Sequence, residues 1–219
     1  MGGNVFSDTE NFDHKHIPDI LQILNSVLEK TGVSAIPVGS AATPVTGKQS
    51  GDLDVIVDLD QIMKFFDVDN AKAGRKMLSE YVHSQGFDTA QSGTNVHVKI
   101  PLTDTNVQVD IMTVSNASTV SKFHTHCIPD NSPYKGLHKQ LLMSIIAKQK
   151  NLLWSAWQGL FERDTNGKKS VFVSDDLDTI SQVLIGGSAK DLECVESILA
   201  KVSNPRELLE LAEQDRNWK

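Results

Sequence analysis

Three aspartates stand inside apolar runs of a kind that a folded chain normally keeps free of charge. Asp52 and Asp54 alternate with Leu53 and Val55, ahead of Ile56 and Val57, and Asp110 interrupts Val107-Gln108-Val109-Asp110-Ile111. Short apolar runs of this type read as β-strands. Side chains alternate faces along a strand, so Asp52 and Asp54 point the same way, about 7 Å apart along the backbone. Carboxylates that close on a common face repel one another, and a fold keeps them there only against that cost. A divalent metal removes it. Hard oxygen ligands suit Mg²⁺ or Mn²⁺, which keep waters and bind phosphate oxygens as well. If the strand bearing Asp110 lies beside the first, three carboxylates converge. That is the arrangement for two metals about 3.5–4 Å apart, clamping the oxygens of an in-line phosphoryl displacement. Asp58 shares the face of Asp54 but lies about 13 Å further along, too far for the same cluster. Asp58 and Asp60 read as strand-end and helix-cap acids.

A second element precedes the acids. The apolar run Ala35-Ile36-Pro37-Val38 ends at Gly39-Ser40, and eleven residues separate Ser40 from Asp52. Glycine lets the backbone approach a phosphate closely, and successive N–H groups in a turn form an anion nest. The Ser40 hydroxyl adds a donor for a terminal phosphate. A Gly-Ser pair alone is a weak signal. The same pair followed by Asp-x-Asp, and later by an aspartate on another strand, is a much stronger one.

This pattern resembles the nucleotidyltransferase superfamily typified by DNA polymerase beta, poly(A) polymerases and CCA-adding enzymes. The residues that carry the resemblance are Gly39, Ser40, Asp52, Asp54 and Asp110, and it covers about residues 15 to 115. The resemblance implies an α+β fold: a nucleotidyltransferase-type core with a mixed β-sheet flanked by helices, followed by a mainly helical lobe that closes the cleft over the nucleotide. It implies transfer of NMP from an NTP to an acceptor hydroxyl, with release of pyrophosphate. By the same analogy Asp52 and Asp54 bind both metals, Asp110 binds one and helps as base, and Gly39 and Ser40 hold the triphosphate. In the lobe, Tyr134 is a candidate to stack on a base, and Lys135 or Lys139 to reach phosphates. The two-lobe layout is also similar to small nucleotidyltransferases encoded by bacteriophages. One departure stands out. Many members carry a basic residue on a short helix just after Gly-Ser, whereas here Ala41-Ala42-Thr43-Pro44 follows and the first basic residue is Lys48. Pro44 disfavours helix at Thr43, so Lys48 or a lysine of the lobe is expected to take that place.

The organisation expected from the residues is a catalytic core over residues 1–118 and a helical lobe over 119–219. Apolar spacing predicts a helix from Ile17 to Leu28, with Pro18 in its first turn and Gly32 at its stop. Pro37 argues against a central strand at 35–38. A helix over 70–85 is capped by Asp69 and closed by Gly86. Val96, Val98 and Ile100 form a hairpin with Val107, Val109 and Ile111. The second half reads as a long helix from Leu137 through Trp157, a small hairpin turned by Asn166-Gly167, helices over 175–184 and 188–202, and a last helix opened by Pro205.

Composition narrows the partners. The formal net charge is -7, so bulk charge does not hold nucleic acid and any such contact needs a local patch. Lys122, Lys135, Lys139, Lys148 and Lys150, with His124, His126 and His138, face a single acid, Asp130, over that stretch. This favours an RNA 3′ end as acceptor, with a small molecule as the alternative. No apolar run approaches the roughly 20 residues of a membrane span. The first residues lack a secretory pattern, Phe6 stands where a myristoylation site needs Ser or Thr, and Cys127 and Cys194 form no metal-type spacing. A cytoplasmic protein without membrane contact is expected. His124-Thr125-His126-Cys127 invites zinc, but no second cysteine pair accompanies it. Trp154 and Trp157 read as core residues on a helix, and Cys194 as a buried helical residue. Two rival functions remain: a non-catalytic NTP-binding or regulatory protein on the same fold, which binds nucleotide without releasing pyrophosphate, and a metal-dependent phosphohydrolase, which leaves the Gly-Ser element unexplained.

Overall fold

A computed structural model describes residues 5–45, 47–125, 132–215 and 218. The chain divides into two compact units, Met1–Ser121 and Lys122–Lys219. The first unit runs β1 (Phe12–Asp13), α1 (Ile17–Leu28), β2 (Ile36–Pro37), β3 (Gln49–Ser50), β4 (Asp52–Asp58), α2 (Leu59–Phe65), α3 (Ala71–Ser84), β5 (Asp88–Ser92), β6 (Asn95–Pro101) and β7 (Asn106–Val114). The division falls within the next helix, α4 (Ala117–His124). The fold is α+β, with a mixed five-stranded sheet in the order β2-β4-β7-β6-β5.

Only β4 and β7 pair in parallel in this sheet; the other neighbours are antiparallel. Its two faces differ sharply. Leu53, Val55 and Val57 of β4, Val107, Val109 and Ile111 of β7, and Val96, Val98 and Ile100 of β6 pack in one core with Ile17, Ile20, Leu24 and Leu28 of α1 and Leu78 and Val82 of α3. The alternate positions, Asp52, Asp54, Gln108, Asp110 and His97, fall on the opposite face by the strand period. At the far end of that face Val38, Ile56 and Val114 are covered by Ala117 and Val120 of α4. Pro37 sits on the edge strand β2, where its missing N–H costs no ladder bond. Asp58 caps α2 by accepting from the Gln61 N–H at 3.0 Å, and also accepts from the Ala117 N–H at 3.3 Å. The cap of α3 is Asn70, not Asp69: the Asn70 side chain accepts from the Ala73 N–H at 2.9 Å. Strand β5 was not apparent in the sequence, because Asp88-Thr89-Ala90-Gln91-Ser92 has no apolar alternation and lies at the sheet edge.

The second unit comprises α5 (Gly136–Gln149), β8 (Leu152–Ser155), β9 (Gly159–Arg163), β10 (Lys169–Ser174), α6 (Leu177–Ile185), α7 (Val195–Lys201) and α8 (Pro205–Glu213). It is mainly helical but contains a three-stranded antiparallel sheet, β10-β9-β8. The helix expected to continue to Trp157 ends at Gln149, because Asn151 turns the backbone left-handed (φ 58°) and Leu152–Ser155 pairs with β9. Trp154 is buried on β8 and donates to Gln140 Oε1 at 2.7 Å, whereas Trp157 is 45% exposed. The helix expected over 188–202 is broken at Cys194, which is extended and half-buried, and caps α7 with its sulfur. His126, Cys127 and Asp130 lie outside the described residues.

Gly159 joins β8 to β9 at φ 94°, and a Cβ there would meet the Ser174 carbonyl oxygen at 2.4 Å. Neither the backbone angle nor the neighbouring strand can yield to a side chain. Gly159→Ala is expected to destabilise the second unit by at least about 2 kcal/mol, read from the midpoint of a urea unfolding curve.

Candidate metal and phosphate site

The register of two strands builds the site. Asp54 of β4 stands directly opposite Asp110 of β7, and Asp52 opposite Gln108. Paired residues in a parallel ladder project to the same face. Asp52, Asp54 and Asp110 therefore converge, with one oxygen from each lying within 4.8 Å of the others. Asp110 is 8% exposed, while Asp52 and Asp54 are half-buried.

The electrostatics follow from that geometry. Burial, then the charges of Asp52 and Asp110, push the Asp54 carboxyl up from its ordinary 3.8 to about 7. Burial and Asp110 also raise Asp52. Among the described residues, no lysine or arginine forms an ion pair with Asp52 or Asp54. Among the described residues, His97 beside Asp110 is the one basic side chain paired with the cluster. Three carboxylates of this spacing fit a hard divalent ion such as Mg²⁺ or Mn²⁺.

Two residues that no sequence motif singles out hold Asp110 in place. His97 pairs with Asp110 across β6 and β7, and its Nδ1 lies 2.7 Å from Asp110 Oδ1. Gln108 Nε2 donates to the same oxygen at 2.7 Å, and the Val5 N–H donates to Gln108 Oε1 at 3.0 Å. An ionised Asp110 only accepts, so Nδ1 donates to it, and Nε2 lies 2.7 Å from the Ser92 hydroxyl. One Asp110 oxygen is thus occupied twice, and the other has no partner among the described residues. His97 looked like a polar residue on the outer face of a hairpin; only the cross-strand register reveals its role.

Gly39 flanks the acids. The Val38 N–H donates to the Asp54 carbonyl at 3.0 Å. Gly39 adopts φ 62°, and a Cβ built on it would lie 3.5 Å from Asp54 Oδ2. The backbone at Gly39 therefore runs beside the Asp54 carboxylate, and its left-handed angle would strain any side chain placed there. Ser40 Oγ lies 3.3 Å from Ser50 Oγ. Lys48 is half-buried in the loop that leads into β3, and its carbonyl accepts from the His14 N–H at 2.9 Å.

The lobe residues stand differently. Tyr134 is half-buried against the core of the second unit, with its ring 5.8 Å from that of Trp218. Lys135 is exposed at the start of α5. Lys139 is 4% exposed, donates to the Thr125 carbonyl at 2.7 Å, and is pushed down to about 8 by burial. Its ammonium is directed into its own unit.

No family model matches the chain, and no curated protein is significantly similar to it.

The raised Asp54 value has a consequence for stability. Its folded value lies above its unfolded one, so the native state holds the proton more tightly between pH 3.8 and about 7. Stability therefore falls as pH rises through that window and levels off above it. Thermal melts without divalent ions should show this decline, Asp54→Asn should flatten it, and millimolar Mg²⁺ should raise Tm more at pH 8 than at pH 5.5. A wild-type Tm indifferent to Mg²⁺ at pH 8 would contradict a metal site.

Proposed function

We propose that this protein is a metal-dependent nucleotidyltransferase that moves NMP from an NTP to an acceptor hydroxyl and releases pyrophosphate. The observation that carries this reading is the convergence of Asp52, Asp54 and Asp110 beside an open Gly39-Ser40 turn. Asp52, Asp54 and Asp110 would hold Mg²⁺ or Mn²⁺. When bound, such ions neutralise triphosphate charge and make the acceptor hydroxyl more acidic.

The chain's own residues supply the rest. Gly39 lets the backbone meet the phosphates without a side chain intervening, and Ser40 and Lys48 donate to them. The free oxygen of Asp110 is oriented by the bonds that His97 and Gln108 make to Oδ1, and it receives the proton of the acceptor hydroxyl. The acceptor oxygen forms its bond to the α-phosphorus as the bond to the β-bridging oxygen breaks, and pyrophosphate leaves. A hydrolase reading would leave the Gly-Ser turn without a task.

For the acceptor, an RNA 3′ end is favoured by the exposed Lys122, Lys135, Lys148 and Lys150. Lys139, His124 and His138 belong to that basic stretch in sequence but are bonded within the second unit, to the carbonyls of Thr125, Ala156 and Trp218. The patch is smaller than the sequence suggested, and a small-molecule acceptor is the alternative. An NTP-consuming activity of this type suits the cytoplasm. No helix among the described residues is long and apolar enough to cross a membrane.

The test is a single reaction set: protein, each of the four NTPs in labelled form, Mg²⁺ or Mn²⁺, and a mixed extract of total RNA and small metabolites. Pyrophosphate should be released and label incorporated, and Asp54→Ala should lower both by about 10³-fold or more. The labelled product identifies the acceptor class. Nucleotide binding without pyrophosphate release would instead support a regulatory NTP-binding protein, and release of free phosphate a hydrolase.

A further inference from the structure

A buried histidine far from the acids in sequence is wired to the Gly-Ser turn. His14 is 1% exposed and immediately follows β1. Strand β1 pairs with β3, setting Phe12 against Ser50 and Asp13 against Gln49. That short ladder delivers the imidazole to Ser50, and His14 Nε2 lies 2.8 Å from Ser50 Oγ. Ser50 Oγ lies 3.3 Å from Ser40 Oγ. On its other side, His14 Nδ1 accepts from the Val45 N–H at 3.3 Å.

The direction of the two bonds at the imidazole follows from their partners. A backbone N–H can only donate, so Nδ1 is bare and uses its lone pair on Val45. Burial, then the charge of Lys48, keep the imidazole below its ordinary value and hence neutral near pH 7. A neutral ring with a bare Nδ1 carries its proton on Nε2, which donates to Ser50. Ser50 keeps its own proton and a second lone pair, so its contact with Ser40 at 3.3 Å can run in either direction. An anion at Ser40 selects the direction in which Ser50 donates and Ser40 accepts, because the Ser40 O–H is then given to the anion. A hydroxyl fixed as an acceptor toward its neighbour presents a proton outward, which suits an anion and not a cation.

We propose that His14 and Ser50 are positioning residues that lock Ser40 as a hydrogen-bond donor to the terminal phosphates of the bound nucleotide. This deepens the nucleotidyltransferase reading and rests on it. The chain costs the protein a buried imidazole and two half-buried hydroxyls. It also gives the loop between Ser40 and Asp52 a defined seat, since Val45 and Lys48 both bond to His14.

The experiment is a double-mutant cycle on binding of the four α,β-methylene NTPs with Mg²⁺, with the NMPs as reference. Ser50→Ala should weaken triphosphate binding by about five- to tenfold and leave NMP binding unchanged, and Ser50→Thr should restore it. In a Ser40→Ala background, Ser50→Ala should change binding less than about twofold, because the effect passes through Ser40. Nitrogen NMR of His14 in the wild type should show a protonated Nε2 and a bare Nδ1. An undiminished Ser50→Ala effect in the Ser40→Ala background, an equal loss for NMP and triphosphate, or the opposite tautomer overturns this proposal alone. Failure of the wild type to bind any triphosphate overturns it together with the nucleotidyltransferase reading.

Discussion

Repulsion among Asp52, Asp54 and Asp110 is the interaction around which the first unit is arranged. Two full charges about 5 Å apart at an effective dielectric near 20 oppose one another by about 3–4 kcal/mol. The sheet holds the three acids together because the reverse face of the same strands is fully committed. Leu53, Val55, Val57, Val109 and Ile111 are buried to completion there, each contributing about 1.5–3 kcal/mol. Moving β4 by one residue against β7 would carry the aspartates into the apolar core and the apolar residues out. The register that stabilises the core is therefore the register that assembles the acids. Part of the repulsion is relieved by a proton, as the Asp54 value of about 7 shows, and a divalent ion would relieve the rest.

A second principle is division of labour among neutral polar groups. Asp110 has one oxygen bonded by His97 and Gln108, which leaves the other directed by default. In the proposed chain Ser40 accepts from Ser50, which leaves its proton for a phosphate. In both cases a buried histidine stands behind the group that faces the site. Asp110 is thus supported by β6, and the turn by the β1–β3 ladder.

Much of this was legible in the residues. The β4 and β7 runs, the 96–111 hairpin and α1 follow from apolar periodicity, and Asp52, Asp54 and Asp110 were expected to converge if the strands were neighbours. The pairing itself could not be read, because register is a tertiary choice that periodicity does not encode. His97 and His14 escaped notice for that reason: each acts through a partner on another strand. In the second unit, the break at Asn151 was hidden because Leu152, Leu153 and Trp157 continue a helical spacing, and only the competing ladder with β9 decides the matter. Cys194 ended a helix that its apolar neighbours seemed to extend, since a cap is a backbone angle before it is a side chain.

The central claim is that three strand-borne carboxylates form a divalent-metal site. The most direct measurement is anomalous diffraction from crystals of the protein soaked in MnCl₂ with an α,β-methylene NTP. Anomalous density for manganese is expected among Asp52, Asp54 and Asp110, and is expected to be lost in crystals of Asp54→Ala. Ordered nucleotide with no manganese at these three residues, or manganese held only elsewhere, would contradict it.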